Sequence, residues 1–478
     1  MDDRRKTFRA WDPNKGRQQA YVPQDVLPEN DLVFFVMDTI PQMDLSPFFG
    51  YYEHELRGAP PYDVTMMLTL LVYSYSVGVF SSRKIAAACE RNLAFKVIVA
   101  DKPPDFRTIS DFRKIHRQPF RHLFIEVLRL AGTLGMVHLG NLSTDGTKLQ
   151  ANASRHKAMS YGYMNKEIAR LEAEVDELLA QAEQVDAEQD ATLGSRRGDE
   201  LPEELKRREE RLKKIREAKA RLEAEAQARA QEEQQRRDEE EARRQAEGKS
   251  RRGREPAPIS QAPNDKDQTS FTDATSKVMK RSNKGFDYCY NAQAAVDSGH
   301  QIIVAAETSA EANDKRQAVP MAKAALQNLK AAGIECPTDK NGEPKKIPNT
   351  ADTGYFSEKA VEDLNTLGLD PYIAVGRQKH HSPEPLPTDG MASAEMSVKE
   401  QMAHKLRTEK GRSLYAARKR IVEPVFGQIK HVRGFRQFLL RGLQKVAGEW
   451  QLVCLTHNLL KIWRFTRCTP GISATGAR

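Results

Sequence analysis

Between Asn165 and Lys249 the chain is built mostly from Glu, Ala, Arg, Gln, Lys and Leu, and this block limits what the rest can fold into. Met164, Ile168, Leu171, Val175, Leu178 and Ala182 alternate in steps of four and three, the period of a coiled-coil seam. A second seam runs through Leu205, Leu212, Ile215, Leu222 and Ala226. The intervening "LGSRRGDELPEE" carries glycine and proline, so the two stretches are expected to fold back as an antiparallel helical hairpin. In "QEEQQRRDEEEARRQAEGKSRRGREPAPISQAPNDK" the apolar anchors vanish, and a frayed or disordered end is expected. The charges of the block nearly balance. It reads as an inserted spacer and not as the source of any charge surplus.

A chain of 478 residues is expected to hold two to four domains, at roughly 100–200 residues each. Its 75 Lys and Arg against 66 Asp and Glu leave a formal +9, which favours an anionic partner such as nucleic acid. The start "MDDRRKTFRAWDPNKG" lacks an apolar core, so no secretion signal is read and an intracellular protein is expected. The most apolar run, Val64 to Phe80, contains Thr, Ser and Tyr and falls short of the ~20 residues of a membrane span, so a buried helix is expected. Five scattered cysteines without a CxxC pair or a nearby His imply reduced thiols, with no structural zinc and no cysteine nucleophile. His380 and His381 lie in a proline-rich stretch and read as surface.

From Pro60 to Gly135 the patterns are helical. "YDVTMMLTLLVYSYSVG" ends at Gly78, "SSRKIAAACERN" opens on capping serines, and "RTISDFRKIHRQPFRHLFIEVLRLAG" is expected as one helix capped by Thr108. Arg83, Lys84, Arg107, Arg113, Lys114, Arg117 and Arg121 give these helices a basic face suited to DNA phosphates or to solvent. Next, Val137, Leu139, Leu142, Thr144 and Asp145 read as a strand ending near Asp145-Gly146. After the inserted block, "DYCYNAQAAVDSG" and "HQIIVAAETSA" suggest a hairpin. A helix, the strand of "NTADTG", a second helix, the strand "DPYIAVG" and a long helical end follow. This order implies an α/β fold, with a mixed sheet covered by helices.

Asp145 and Asp352 then stand at strand ends, and Glu423 lies in a helix beside the apolar Val422, Phe426 and Ile429. Side chains at such strand ends open into a shared crevice where ligands bind. Three carboxylates meeting there repel unless a cation neutralises them. Mg²⁺ or Mn²⁺ prefers such oxygen ligands together with substrate phosphate, and two ions roughly 3.5–4 Å apart suit an in-line phosphoryl displacement. Each of the three could equally cap a turn or sit in solvent. Asp297 rivals Asp145 as first ligand, but it falls in the expected hairpin turn. Asn291 and Gln293 alternate on the strand before it.

"STDGTKLQANAS", "NAQAAVD", "ADTGYFS" and "RIVEPVFGQIKHVRGFRQFLLRGLQKV", in this order, resemble the DDE transposases of bacterial insertion sequences. The segment from Pro60 to Lys114 resembles the helical domain that precedes the catalytic core in one branch of them. The resemblance covers about Pro60 to Ser154 and Thr269 to Trp463. It implies a ribonuclease-H-like core, preceded by an all-helical N-terminal domain and interrupted here by the coiled-coil hairpin. It also implies that Asp145, Asp352 and Glu423 are catalytic residues holding Mg²⁺ or Mn²⁺, as two ions. The related Tyr-Arg-Glu-Lys signature is met in part: Glu423 and Lys430 keep its six-residue gap, Lys419 fills the Arg slot between Arg418 and Arg420, and Tyr415 stands one residue too far away.

The implied organisation is 1–135 for a helical DNA-binding domain, 136–160 and 266–467 for the catalytic domain, 161–265 for the insertion and 468–478 for a tail. DNA contacts are expected from Lys430, Arg418, Lys419, Arg420, Arg433, Arg436 and Arg441, with Arg83, Lys84 and Arg113 on the N-terminal helices. Partners would be the element's terminal inverted repeats, target DNA and further copies of the chain, as a homodimer or larger assembly. The protein would be cytoplasmic, and nucleoid-associated when on DNA. A nuclease that cuts without joining shares the triad, and an inactive DNA-binding protein is the reading from another class.

Overall fold

The computed structural model describes residues 9–12, 23–53, 60–100, 102–193, 203–246, 248, 256–281, 285–338, 341–342, 344–376 and 396–468. His380, His381, most of the expected break between the two seams and nearly all of the tail lie outside them. The chain divides into two compact units, Met1–Asn152 with Met279–Arg478, and Ala153–Val278.

The first unit is mixed α/β. Its strands are β1 (Leu142–Gln150), β4 (Lys277–Lys280), β5 (Phe286–Asp297), β6 (Ile303–Ser309), β7 (Ile347–Ala351) and β8 (Leu369–Ile373). The sheet runs β4-β5-β1-β7-β8, with β6 also on β5. β1, β5 and β6 are antiparallel neighbours, whereas β7 and β8 run parallel to β1. β1 continues through Asp145-Gly146 to Gln150, so Asp145 sits within the strand and not at its end. Glycine is needed there for space: a Cβ on Gly146 would lie 2.2 Å from Gln293 Nε2.

Helices cover the sheet. Val64–Ser76 is apolar on every side and accordingly buried, and the Asp63 side chain caps it by accepting from Met66 N at 2.9 Å. The stretch expected as one helix from Thr108 is two, Phe106–Ile115 and Pro119–Thr133. Asp105, not Thr108, caps the first, and Pro119 begins the second because its missing N–H costs nothing in a first turn. The long helix Leu443–Cys468 packs against Pro119–Thr133, β6 and Val64–Ser76. A buried polar group joins these elements. Tyr75 Oη donates to Glu449 Oε1 (2.9 Å), Arg113 Nη1 donates to Tyr75 Oη (2.8 Å), and Glu449 Oε2 accepts the N–H groups of Leu439 and Leu440.

The second unit holds β2 (Ala158–Ser160), paired antiparallel with β3 (Gln268–Ser270), and the helices Tyr161–Leu193 and Glu203–Ala246. Met164, Leu171, Leu212, Ile215, Ala218 and Leu222 form one apolar cluster between the helices. The Tyr161 hydroxyl donates to Glu223 Oε1 at 2.8 Å while Glu174 pairs with Arg208, so the two helices run antiparallel, and Glu167–Arg211 and Glu172–Arg216 add ion pairs between them. The second helix runs unbroken to Ala246, further than the loss of apolar anchors implied; pairs four or fewer residues apart, such as Glu233 with Arg236 and Arg237, support it. Among the described residues no helix is long and apolar enough to cross a membrane.

Candidate active site

The parallel pairing of β1 with β7 aligns Leu142 with Asn349 and Ser143 with Thr350. Ser143 Oγ and Thr350 Oγ1, both fully buried, share a hydrogen bond of 2.7 Å, so the two side chains point to one face. Side chains alternate along a strand, so two residues further on Asp145 and Asp352 emerge on that same face, side by side. β7 has ended by then, and Asp352 begins the short helical turn Thr353–Tyr355, accepting from Gly354 N at 2.8 Å. The position expected for Asp352 therefore holds, and the side chain also caps the turn that its sequence suggests.

Asp145 Oδ1 accepts from Gly146 N at 2.8 Å, and Oδ2 accepts from Arg418 Nη1 at 3.1 Å. Burial raises its pKa to about 6. The Arg418 guanidinium and the Gly146 N–H oppose that rise, while the neighbouring charges of Asp352 and Asp314 add to it. Repulsion among these carboxylates is thus part of the site.

The third acid comes from a broken helix. Glu409–Ile421 ends, Glu423–Gly427 begins one residue later, and Gln428–Val432 is wound as a π-turn. Such wide turns accommodate an extra residue and recur at functional sites. Arg418 Nη2 lies 3.7 Å from Glu423 Oε1, so one guanidinium bridges Asp145 and Glu423. The Tyr415 ring lies 5.9 Å from Arg418 Cζ. Arg418 therefore stands between the two acids with Tyr415 beside it, whereas Lys419 is exposed. Lys430 Nζ donates to Thr147 Oγ1 at 2.9 Å, and burial lowers its pKa against the pull of Asp145.

Asp314 was not singled out from the sequence. It follows β6, and its Oδ1 accepts from Asn291 Nδ2 (2.6 Å) and Gln293 Nε2 (2.7 Å), while Lys148 Nζ lies 3.3 Å from Oδ2. The Tyr355 hydroxyl donates to Gln293 Oε1, and Trp450 Nε1 donates to the Gln293 carbonyl at 2.9 Å. Asp314 thus fixes which way the Gln293 amide points, and Gln293 anchors the turn that begins at Asp352. In the sequence, "EANDKRQ" offers only loop residues before a helix, and nothing links it to its partners on two strands. Asp297, the rival ligand, is fully buried and accepts from the N–H groups of His138, Leu139 and Gly299, a purely internal role.

The remaining basic residues divide. Lys419, Arg420, Arg436, Arg441, Arg83 and Lys84 are exposed. Arg436 Nε donates to the Lys430 carbonyl, and Arg441 Nε to that of Asn152. Arg83, Arg107 and Lys114 line a cavity of about 460 Å³ together with Leu439. Arg113 and Arg433 do not face DNA as expected. Both are buried, Arg113 by donating to Tyr75, Phe80 and Ser82, and Arg433 by donating to Thr456 Oγ1 and the Val453 carbonyl.

Two family models match the chain, one described as Transposase DDE domain over residues 390–463 and one as Transposase domain (DUF772) over residues 21–115. Both matches are to transposase models, and together they support a DDE transposase of an insertion sequence. The first match takes in Arg418, Glu423 and Lys430, and the second takes in Arg83 and Lys84. Asp145 and Asp352 lie outside both. No curated protein and no solved structure matches the chain.

Proposed function

We propose that this transposase binds the ends of its element and catalyses metal-dependent DNA cleavage and strand transfer through Asp145, Asp352 and Glu423. The observation that carries the proposal is the register of β1 on β7, which brings Asp145 and Asp352 side by side beneath the helix bearing Arg418, Glu423 and Lys430. A mixed sheet of three antiparallel strands continued by two parallel ones is compatible with a ribonuclease-H-like core.

Among the described residues, no three Asp, Glu, His or Cys side chains are gathered at one point as ligands. The donor chemistry nonetheless fits a hard divalent cation: the charges of Asp352 and Asp314 add to the raised proton affinity of Asp145, and one arginine now balances Asp145 and Glu423. Asp145 and Asp352 would hold Mg²⁺ or Mn²⁺, with Glu423 joining once Arg418 withdraws from between the acids. When bound, such ions, two in the proposed scheme, supply charge neutralisation at a reacting phosphate.

The chain's own groups supply the rest. Lys430, half-buried beside Thr147, and Arg418 offer cations to the phosphate, and exposed Lys419, Arg436 and Arg441 extend the contact along the backbone. Asp314 and Gln293 hold the Asp352 turn. In the first step water attacks phosphorus at the element's end and expels the 3′-oxygen, which leaves as a hydroxyl. That hydroxyl then attacks a target phosphodiester and expels the target's own 3′-oxygen. Two ends must meet, so a homodimer or larger assembly acts, and the N-terminal helices with Arg83 and Lys84 recognise the terminal repeats.

The test is joining of a labelled, pre-cut element end to plasmid DNA with Mg²⁺ or Mn²⁺, wild type beside Asp352→Asn. Joined product from wild type alone is expected. Equal product from both removes Asp352 from the mechanism, and cleavage without joining makes the protein a nuclease.

A further inference from the structure

The helix Glu409–Ile421 turns Arg418 toward Asp145, and Ala417, Arg420 and Ile421 of the same helix line a cavity of about 580 Å³. Residues three and four apart share a helix face, so these three form one stripe, about a quarter turn around the helix from Arg418. Lys461, Arg464 and Phe465 of the helix Leu443–Cys468 form a second wall, and the turn Ser298–Gln301 between β5 and β6 forms the third.

Arg420, Lys461 and Arg464 all face this space, and none makes an ion pair among the described residues. Lys461 Nζ donates to Gln301 Oε1 at 2.6 Å, and Gln301 Nε2 in turn donates to the Arg420 carbonyl at 2.7 Å, so neutral partners hold the walls in place. Asp297, which directly precedes this turn, already accepts three backbone N–H groups. Burial and the adjacent Arg464 both lower the pKa of Lys461. Cations held together without a counter-charge repel one another, and an anion entering the cavity would relieve that repulsion.

We propose that this cavity binds phosphates of the DNA backbone beside the bond that reacts, an inference that rests on the transposase reading. The cavity and Asp145 both adjoin the helix Glu409–Ile421, which with its side chains is about 10–12 Å across, so they lie within about one helix width of each other. A DNA strand rises about 3.4 Å per nucleotide, so a strand lying at the carboxylates reaches the cavity within about three nucleotides. Arg420, Lys461 and Arg464 then hold the substrate beside the helix that carries Arg418. Phosphates carry no sequence information, so the contact sets position and not choice of site.

The experiment measures affinity of the full chain for a labelled duplex against salt concentration, with Lys461→Gln, Arg464→Gln and the pair, and with Lys461→Arg and Arg464→Lys as charge-keeping controls. Leaving one phosphate without its cation lowers the steepness of the log–log plot by about one. Each Gln variant is therefore expected to flatten the slope by about one and the pair by about two, equally on element-end and unrelated duplexes, while the charge-keeping variants match wild type. Unchanged slopes in Gln variants that melt like wild type overturn the proposal. So does a melting-temperature rise with inorganic phosphate that the pair abolishes while DNA slopes stay unchanged, since the cavity then takes a small anion. Strand joining, measured in parallel, separates the two proposals: flatter slopes without joining in wild type sink only the catalytic reading, and joining with unchanged slopes sinks only this one.

Discussion

Ser143 Oγ and Thr350 Oγ1 lie 2.7 Å apart inside the sheet, and this hydrogen bond marks the register that brings Asp145 beside Asp352. Both residues are fully buried, and Thr350 Oγ1 also donates to the buried Asn141 Oδ1 at 3.3 Å, so removing Thr350 takes a partner from both Ser143 and Asn141. Thr350→Val is expected to lower stability by about 1–3 kcal/mol, whereas adding Ser143→Ala recovers part of that loss, because the Ser143 hydroxyl is then no longer left unsatisfied. Urea denaturation of the two single variants and the double variant measures the coupling. Additive losses would mean that the pair does not support the register.

Asp314 acts through Gln293 and Tyr355 on the turn that starts at Asp352. Asp314→Asn replaces an acceptor-only group by one that also presents N–H groups toward the amides of Asn291 and Gln293. Joining at saturating DNA is expected to fall about 10–100-fold, the range seen when a group orienting an active-site ligand is lost. DNA affinity and melting temperature should hold. A loss confined to affinity would place Asp314 in substrate binding instead.

Arg418 is the cation that balances Asp145 and Glu423. Arg418→Gln leaves both acids without it, and melting temperature in chelator is expected to fall. Added Mg²⁺ should then raise the melting temperature of the variant more than that of wild type, because binding to the folded state alone stabilises it and the variant has more charge to neutralise. Equal Mg²⁺ shifts would show that arginine and metal do not compete for the same carboxylates.

His116 is buried among Phe48, Phe112 and Tyr52, and burial lowers its pKa from 6.5 to about 4. As pH falls the unfolded chain takes up the proton first. Stability is therefore lost as pH drops below 6.5 and the loss levels off below about 4, reaching on the order of 3 kcal/mol. His116→Phe should flatten the fall in melting temperature between pH 6.5 and 5. An unchanged slope would assign the acid sensitivity to other groups, such as His457, whose pKa is also lowered by burial.

The strand order, the buried Val64–Ser76 helix and the positions of Asp352 and Lys430 were legible because period, capping and glycine placement are local signals. The ordered motif blocks singled out Asp145, Asp352 and Glu423, and folding sets Arg418 between the first and the last of them. Asp314 was not, because its meaning comes only from Asn291, Gln293 and Lys148, which folding brings to it from two strands. Arg113 and Arg433 misled for the same reason: an arginine in sequence looks solvated, and only the tertiary partners Tyr75 and Thr456 reveal it as internal. The continuation of β1 past Asp145 was hidden by a glycine that reads as a turn. Its use is to admit Gln293, a long-range contact.

β1 and β5 are antiparallel neighbours, yet the whole second unit lies between Gln150 and Phe286. Closing a loop costs entropy that grows with its length, if slowly. The β2–β3 pairing changes that count, since Ala158 faces Ser270 and the chain leaves the excursion beside the point where it entered. Once the two helices have zipped together, the sheet has a short gap to close instead of a long one. The order of events during synthesis follows: the excursion emerges from the ribosome before β5 and can form on local contacts alone, so the central strand waits next to an already shortened path for its partner.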